Sequence, residues 1–146
     1  MPSPVPQASD SAPDHPAVEA LFEAARAVRE RAHAPYSRFR VGAALVDEAG
    51  RIHAGCNVEN AAYPVGSCAE AGAISAMIAG GGTCIAAIVV LGEGPTAVTP
   101  CGACRQRIRE FAAPDTPVLA ADPMGLRARF TLDELLPASF GPENLA

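Results

Sequence analysis

The chain has 146 residues, of which 49% are hydrophobic and 18% charged, so it is long and apolar enough to fold around a core as one domain. Its net charge of -5 argues against a nucleic-acid-binding protein, which normally carries a basic stripe. All eleven basic residues are arginines, so a Schiff-base lysine and a phosphate-loop lysine are both excluded. The N-terminus lacks the basic and apolar regions of a secretory signal and no apolar run reaches the length of a membrane span, so we expect a cytoplasmic protein without a membrane partner.

The first part of the chain predicts a tail, a helix and a hairpin. Residues 1–15 are rich in proline, serine and alanine and are predicted to form a disordered tail, which leaves residues 16–146 as a single domain. Apolar residues then recur at helical spacing and predict a helix that begins at residue 14 or 16 and ends near residue 32. Two apolar runs flank "DEAG" and predict a β-hairpin over about residues 39–46 and 51–58.

The second part alternates helices and strands. We predict a helix over about residues 68–79 that ends at "GGG", a buried strand at "CIAAIVVLG", a helix over about residues 101–111 and a strand at "TPVLAAD". After a turn at "PMG", "TLDELL" predicts a short helix with Thr131 as its N-cap and Glu134 at the capping-box position. The order α-β-β-α-β-α-β-α indicates a layered α/β domain, and the hairpin makes its sheet mixed.

Three of the five cysteines have the spacing of metal ligands. An odd number of cysteines in a cytoplasmic chain argues against a disulfide framework. Cys101 and Cys104 are three apart, so both can face one point from a single helical turn, while Cys68 would come from the start of the preceding helix. Such a set of thiolates suits zinc, and three protein ligands leave the fourth position open for water, as in a catalytic site. Both predicted helix N-termini would stabilise thiolates.

Glu70 follows Cys68 by two residues, so it is placed to exchange a proton with a zinc-bound water. Each pattern also has an ordinary explanation. A lone glutamate is more often a solvated helix residue. A lone CxxC would fit a thioredoxin-like redox pair, although this would leave Cys68 and Glu70 without a role. We interpret Cys56 and Cys84 as inert small hydrophobes in or beside strands.

The motifs taken together resemble a known family. "YSRFRVGAAL", "GCNVENAAYP", "CAE", "PCGACRQ" and "LLPASF" are similar, in order and spacing, to the small homotetrameric zinc-dependent cytidine deaminases over about residues 18–140. "CAE" and "PCGAC" match the all-cysteine form of the nucleoside deaminase signature. The resemblance implies a three-layer α/β/α fold with a mixed sheet of about five strands, a homotetramer, and one Zn²⁺ per subunit held by Cys68, Cys101 and Cys104.

The resemblance also implies a reaction, the hydrolytic deamination of cytidine and deoxycytidine to uridine and deoxyuridine plus ammonia in pyrimidine salvage. Zinc-bound hydroxide would attack C4, and Glu70 would carry protons to N3 and to the leaving amine. The implied substrate contacts are packing of Phe39 on the base, hydrogen bonds between the ribose 3′-hydroxyl and the side chains of Asn57 and Glu59, contact of the Ala69 backbone with the base edge, and completion of the sites across subunits by Ala61, Tyr63 and Phe140.

The residues alone give these substrate positions a plainer interpretation. Phe39 alternates with Val41 on a predicted strand, which is the pattern of a core residue. Asn57 and Glu59 lie on one face of a strand end, where they could simply be exposed. Phe140 follows the last predicted helix, so packing or an interface contact explains it equally well.

One position departs from the family pattern. The small tetrameric enzymes commonly have arginine directly after the glutamate, where it offsets the thiolate charge, whereas this chain has Ala71 followed by Gly72. We hypothesise that Arg105, or the dipoles of the two helices alone, offset this charge here.

Three other functions stay open at this point. A blasticidin S deaminase would use the same chemistry on another substrate, although the Asn57 and Glu59 pair favours a nucleoside. A structural zinc module would need a fourth protein ligand and would tolerate a change of Glu70. A polynucleotide-editing enzyme is opposed by the acidic charge and the lack of a basic patch.

Overall fold

The computed structural model describes residues 14–146, and the predicted tail therefore lies almost wholly outside the described residues. The helices are α1 (Val18–Arg29), α2 (Ala69–Ala79), α3 (Gly102–Phe111) and α4 (Leu132–Leu135). The strands are β1 (Val41–Asp47), β2 (Ile52–Cys56), β3 (Ile85–Gly92), β4 (Pro117–Asp122) and β5 (Gly125–Thr131). Between residues 14 and 146, none of the helices is long and apolar enough to cross a membrane.

The five strands form one mixed sheet in the order β2-β1-β3-β4-β5. β3 and β4 are parallel, and every other neighbouring pair is antiparallel. The expected α/β fold with a mixed sheet of about five strands is confirmed. The predicted order of elements missed one strand. It passed directly from the turn after β4 to the last helix, whereas β5 lies between them and pairs along β4 as an edge strand.

Helices cover both faces of the sheet, which gives three layers. Alternation along β1 sends Ala43 and Leu45 to one face and Ala44 and Val46 to the other. The first face packs against α2 and α3, and the second packs against α1. Because α2 and α3 lie on the same face and contact each other, their N-termini can contribute to one site.

Glycines bring α2 unusually close to the sheet. A Cβ atom added at Gly55 of β2 would lie 2.4 Å from the Ala73 nitrogen and 2.6 Å from the Ala69 oxygen, both backbone atoms of α2. Gly72 of α2 lies on the other side of this contact, and a Cβ atom added at Gly72 would lie 3.4 Å from the Gly55 Cα. The absence of a side chain at Gly55 therefore sets the depth at which the first turn of α2 is held.

The Asn57 side chain fixes the backbone where β1 begins, beside the end of β2. Both strands are shorter than the predicted hairpin arms. The Asn57 side chain accepts the Val41 N–H (2.8 Å) and donates to the Phe39 carbonyl (2.8 Å), so it fixes the backbone just before and at the start of β1. The Asn57 carbonyl also accepts the His33 N–H (3.0 Å). α1 ends at Arg29 rather than near residue 32, and the bond from His33 ties the chain that follows α1 to the end of β2.

Two polar side-chain motifs fix turns away from the sulfurs. Asp47, whose side chain is fully buried, accepts hydrogen bonds from the backbone of Ala49 and Arg51 and bonds to the Arg51 and His53 side chains. Its burial opposes ionisation, but these partners outweigh burial and lower its pKa to about 2. At α4, Thr131 and Glu134 form the predicted capping box, which is confirmed.

Candidate metal centre

Two helix starts bring three sulfurs together. Cys68 is the N-cap of α2, Cys101 is the N-cap of α3, and Cys104 lies in the first turn of α3. Their Sγ atoms all lie within 4.8 Å of one another, and the Cys68 and Cys101 sulfurs are 3.9 Å apart. The structure therefore unites the three cysteines that the sequence selected.

The sulfur geometry fits a tetrahedral zinc ion. Two sulfurs at about 2.3 Å from such an ion are about 3.8 Å apart, which matches the separation of Cys68 and Cys101. Within the described part of the chain, no histidine, aspartate, glutamate or further cysteine joins the three sulfurs as a ligand. A three-sulfur set leaves one tetrahedral position for a water molecule, whereas a structural zinc module would fill it with protein.

The three thiols differ in how the fold treats their charge. Burial opposes ionisation of Cys101, but the Cys104 N–H and the neighbouring thiols outweigh it and lower its pKa. Burial is the main cause that raises the pKa of Cys68. Burial, followed by the charges of Glu70 and Cys68, raises the pKa of the fully buried Cys104 thiol. Ionisation of Cys68 and Cys104 is therefore favoured when a cation lies beside their sulfurs.

Glu70 lies beside this cluster with only 4% of its surface exposed. It belongs to the first turn of α2. Burial raises its pKa, while a backbone N–H, the Cys104 thiol and the charge of Arg107 act in the opposite direction. A carboxyl group with a raised pKa is better suited to accept and release protons near neutral pH than an ordinary glutamate.

The two arginines of α3 nearest the cysteines have different contacts. Arg105 donates to the Pro100 carbonyl (2.8 Å), the Leu135 carbonyl (2.8 Å) and the Thr99 hydroxyl (3.0 Å), so its guanidinium holds the loop before α3. Arg107 instead donates to the Cys104 sulfur at 3.6 Å. The hypothesis that Arg105 offsets the thiolate charge gains no support from these contacts.

A cavity of about 200 Å³ opens beside Cys68, Cys101 and Glu70, and we call it the inner cavity. Phe39, Asn57 and Ala69, to which the resemblance assigned substrate contacts, are among the residues that line it. Sequence reasoning missed four further lining residues, namely Val41, Val90, Val98 and Thr99. The last two could have been found from their place directly before the PCGAC motif.

A second cavity of about 510 Å³, the outer groove, adjoins the first, since Asn57 and Cys68 line both. Glu59 and Tyr63 lie in it. Glu59 accepts the N–H groups of Tyr36 (2.9 Å) and Ser37 (3.1 Å) and the Ser37 hydroxyl. The bond from the Ser37 hydroxyl is the main cause that lowers the pKa of Glu59, so this carboxyl group is ionised at neutral pH.

Other predicted positions lie apart from the cavities in the single chain. Ala61 is exposed, and neither it nor Phe140 is among the residues that line the inner cavity or the outer groove. Phe140 is 58% exposed, and its carbonyl accepts a hydrogen bond from Gln106. Cys56 is half-buried and Cys84 exposed, and neither belongs to the sulfur cluster.

Comparisons with known proteins agree with a zinc site at these cysteines. The family model described as "Cytidine and deoxycytidylate deaminase zinc-binding region" matches residues 16–120. A cytidine deaminase of Sporosarcina psychrophila is 41% identical over 129 residues, which are 88% of this chain and 95% of that protein. A solved cytidine deaminase from Burkholderia pseudomallei is 45% identical with a TM-score of 0.78, covering 84% of this chain and 98% of that one. The enzyme from Mycobacterium tuberculosis is 36% identical with a TM-score of 0.71, covering 84% and 96%.

Proposed function

The chain belongs to the cytidine deaminase family and is a zinc enzyme of that family, and on this premise we propose that it hydrolyses the 4-amino group of cytidine and deoxycytidine. The products are uridine or deoxyuridine and ammonia. The proposal is supported by the names of the relatives and by the geometry around Glu70. A role in pyrimidine salvage in the cytoplasm belongs to the same proposal.

In this proposal Cys68, Cys101 and Cys104 hold the zinc ion through their Sγ atoms. Bound zinc supplies the positive charge that makes water a strong nucleophile at neutral pH. The N-termini of α2 and α3 point at the sulfurs of their N-cap residues, and their free N–H groups and dipoles stabilise the thiolate charge.

Glu70 moves the protons. As a water molecule adds to C4 of the base, the Glu70 carboxylate accepts its proton and delivers it to N3. The second proton of that water, now on the hydroxyl group at C4, passes through the same carboxyl group to the amine; the C4–N bond breaks, ammonia leaves and the C4 carbonyl remains. The burial that raises the pKa of Glu70 favours this exchange, because the group must be base and acid in one turnover.

The two cavities divide the substrate. We place the base in the inner cavity, against Phe39 and the Ala69 backbone, and the sugar at the junction with the outer groove. At this junction the Asn57 oxygen and one side-chain N–H hold the start of β1, and among residues 14–146 its second N–H has no partner. Glu59, held in place by Ser37 and Tyr36, keeps acceptor capacity. Both groups are thus preorganised for a ribose 3′-hydroxyl.

We also propose that the enzyme assembles as a homotetramer in which Ala61, Tyr63 and Phe140 complete sites across subunits. Tyr63 is 75% exposed and lines the outer groove, and Phe140 is 58% exposed. Large exposed aromatic side chains are typical of surfaces that a partner covers.

The observation that carries the proposed function is the position of Glu70, a buried carboxyl group in the wall of the cavity that also contains Cys68 and Cys101. The test is an ultraviolet assay of cytidine deamination by the purified protein and by Glu70→Gln, with zinc content measured for both. We expect the parent to form uridine and the variant to lose at least about 100-fold in kcat while keeping zinc.

Glu19→Gln is the matched control, because Glu19 is an exposed glutamate of α1 on the opposite face of the sheet. It should leave kcat unchanged. A folded, zinc-loaded parent that does not convert cytidine would refute the nucleoside reaction. A Glu70→Gln variant with parental kcat would refute the role of Glu70.

A further inference from the structure

Arg107 is an exposed arginine of α3 whose guanidinium lies against the sulfur cluster. It follows Cys104 by three residues, so both side chains project from the same side of the helix. Its Nη1 donates to the Cys104 Sγ at 3.6 Å. This contact with a buried sulfur distinguishes Arg107 from an ordinary surface arginine.

Formal charge makes such a contact significant. Three thiolates and one Zn²⁺ carry about minus one, and an ionised Glu70 beside them brings the site to about minus two. A centre with excess negative charge polarises water poorly, because the ion's own ligands have neutralised it. A positive group that withdraws charge from a ligand sulfur therefore restores part of the ion's effect.

The fold leaves Cys104 the ligand most dependent on a side-chain partner. Cys68 and Cys101 are N-cap residues, which lie next to the free N–H groups of their helices, and Cys101 also accepts the Cys104 N–H. Cys104 lies inside α3 and is 0% exposed, so water does not solvate its sulfur. Across residues 14–146, the charged group that donates a hydrogen bond to it is Arg107.

Arg105 cannot take this role without giving up its present contacts. Its three nitrogens are engaged by Pro100, Leu135 and Thr99, none of which is a zinc ligand. At the position after Glu70 the chain has Ala71, which carries no charge. The positive charge in contact with the thiolates therefore comes from the second turn of α3.

We propose that Arg107 is a positioning residue of the zinc site, which withdraws negative charge from the Cys104 thiolate and so keeps the bound ion electrophilic. The proposal rests on the function proposed above for its effect on turnover, but its effect on the metal–sulfur bond does not. The role combines a charge and an N–H donor, and substitutions can separate the two. Lysine keeps the charge, glutamine keeps a donor, and methionine keeps neither.

The experiment replaces zinc by Co²⁺ in the parent, Arg107→Lys, Arg107→Gln and Arg107→Met, and records the sulfur-to-cobalt charge-transfer absorption. Loss of the positive charge makes the sulfur more electron-rich, so we expect the band to move to longer wavelength in the methionine and glutamine variants and to return towards the parental position in the lysine variant. In the zinc enzymes we expect kcat to fall about 10- to 100-fold for methionine, with KM nearly unchanged and zinc retained.

Arg26→Gln is the control for a simple change of net charge, since Arg26 is an exposed arginine of α1 paired with Glu23. It should alter neither the band nor kcat. A parental band and parental kcat in Arg107→Met would overturn the inference and leave the proposed reaction standing. A shifted band in a protein whose parent does not deaminate cytidine would instead keep the role of Arg107 and reject the reaction.

Discussion

Replacing Gly55 by alanine tests whether the contact of β2 with α2 positions Cys68 and Glu70, the residues proposed above for zinc binding and proton transfer. The added Cβ would lie 2.4 Å from the Ala73 nitrogen and 2.6 Å from the Ala69 oxygen, whereas ordinary contacts of a Cβ begin at 3.4 Å. The helix would therefore have to withdraw from the sheet by about 1 Å. Both contacted atoms belong to the backbone, so no side-chain rotation can relieve the clash.

This displacement has two expected consequences. Overpacking of this kind costs about 1–3 kcal/mol, and the rigid backbone contacts favour the upper end. For a chain of this size, about 3 kcal/mol corresponds to a fall in Tm of about 6–12 °C. The same movement shifts Cys68 and Glu70, which lie at the start of α2, and a misplacement of about 1 Å can lower turnover by about 100-fold.

The assay is calorimetric Tm together with kcat for cytidine, at fixed protein and zinc concentrations. Gly72→Ala is the matched control on the other side of the same contact. Its Cβ would lie 3.4 Å from the Gly55 Cα, an ordinary distance, and alanine is favoured over glycine within a helix by about 0.5–1 kcal/mol. We expect this control to match or exceed the parental Tm. Parental Tm and kcat in Gly55→Ala would refute the reasoning.

Three further predictions concern stability. Because the pKa of Asp47 falls from 3.8 to about 2 on folding, the stabilisation by its carboxylate is present above about pH 4 and lost as the pH falls towards 2. Asp47→Asn should therefore lower Tm at pH 7, and the difference in Tm from the parent should shrink between about pH 4 and 2. A difference in Tm that stays constant over this range would contradict the prediction. Thr131→Ala removes the capping box and should cost about 1 kcal/mol in urea denaturation, with an unchanged midpoint as the contrary result. Bound zinc would cross-link Cys68 to Cys101, 33 positions apart, and a cross-link that closes a loop of this length restricts the unfolded chain by about 3–4 kcal/mol. Removing zinc by chelation should lower the free energy of unfolding by this amount. Equal denaturation midpoints with and without zinc would exclude the cross-link.

The buried elements and the metal site were predictable because they depend on local patterns. The continuous apolar run of β3 and the small-residue helix α2 each lie within one or two residues of their predicted bounds. Cys101 and Cys104 share one helical turn, so their spacing allowed both to bind one ion, and the nearby Cys68 and Glu70 favoured a metal site over a redox pair. Their union with Cys68 needed only two helices on one face of the sheet.

The missed features depend on neighbours distant in sequence. In β5, Leu126, Ala128 and Phe130 alternate with arginines, which is the pattern of a strand. This short run lies directly between a turn and a capped helix, so the sequence prediction did not recognise it as a strand of its own. The contact of Arg107 with Cys104 could have been foreseen from the three-residue spacing. The hydrogen bond from Arg105 to the Leu135 carbonyl depends instead on helix α4, whose last residue lies thirty positions further along the chain.

Asn57 joins three segments of the chain, since its backbone accepts the His33 N–H while its side chain holds the start of β1 and lines both cavities. A ligand bound at Asn57 therefore restrains the hydrogen bonds from the His33 and Val41 amides that connect these segments. Amide hydrogens of His33 and Val41 should exchange with deuterated solvent more slowly once the cavities are filled, although neither amide needs to touch the ligand. Protection factors at these two amides would then report occupancy of the site independently of turnover.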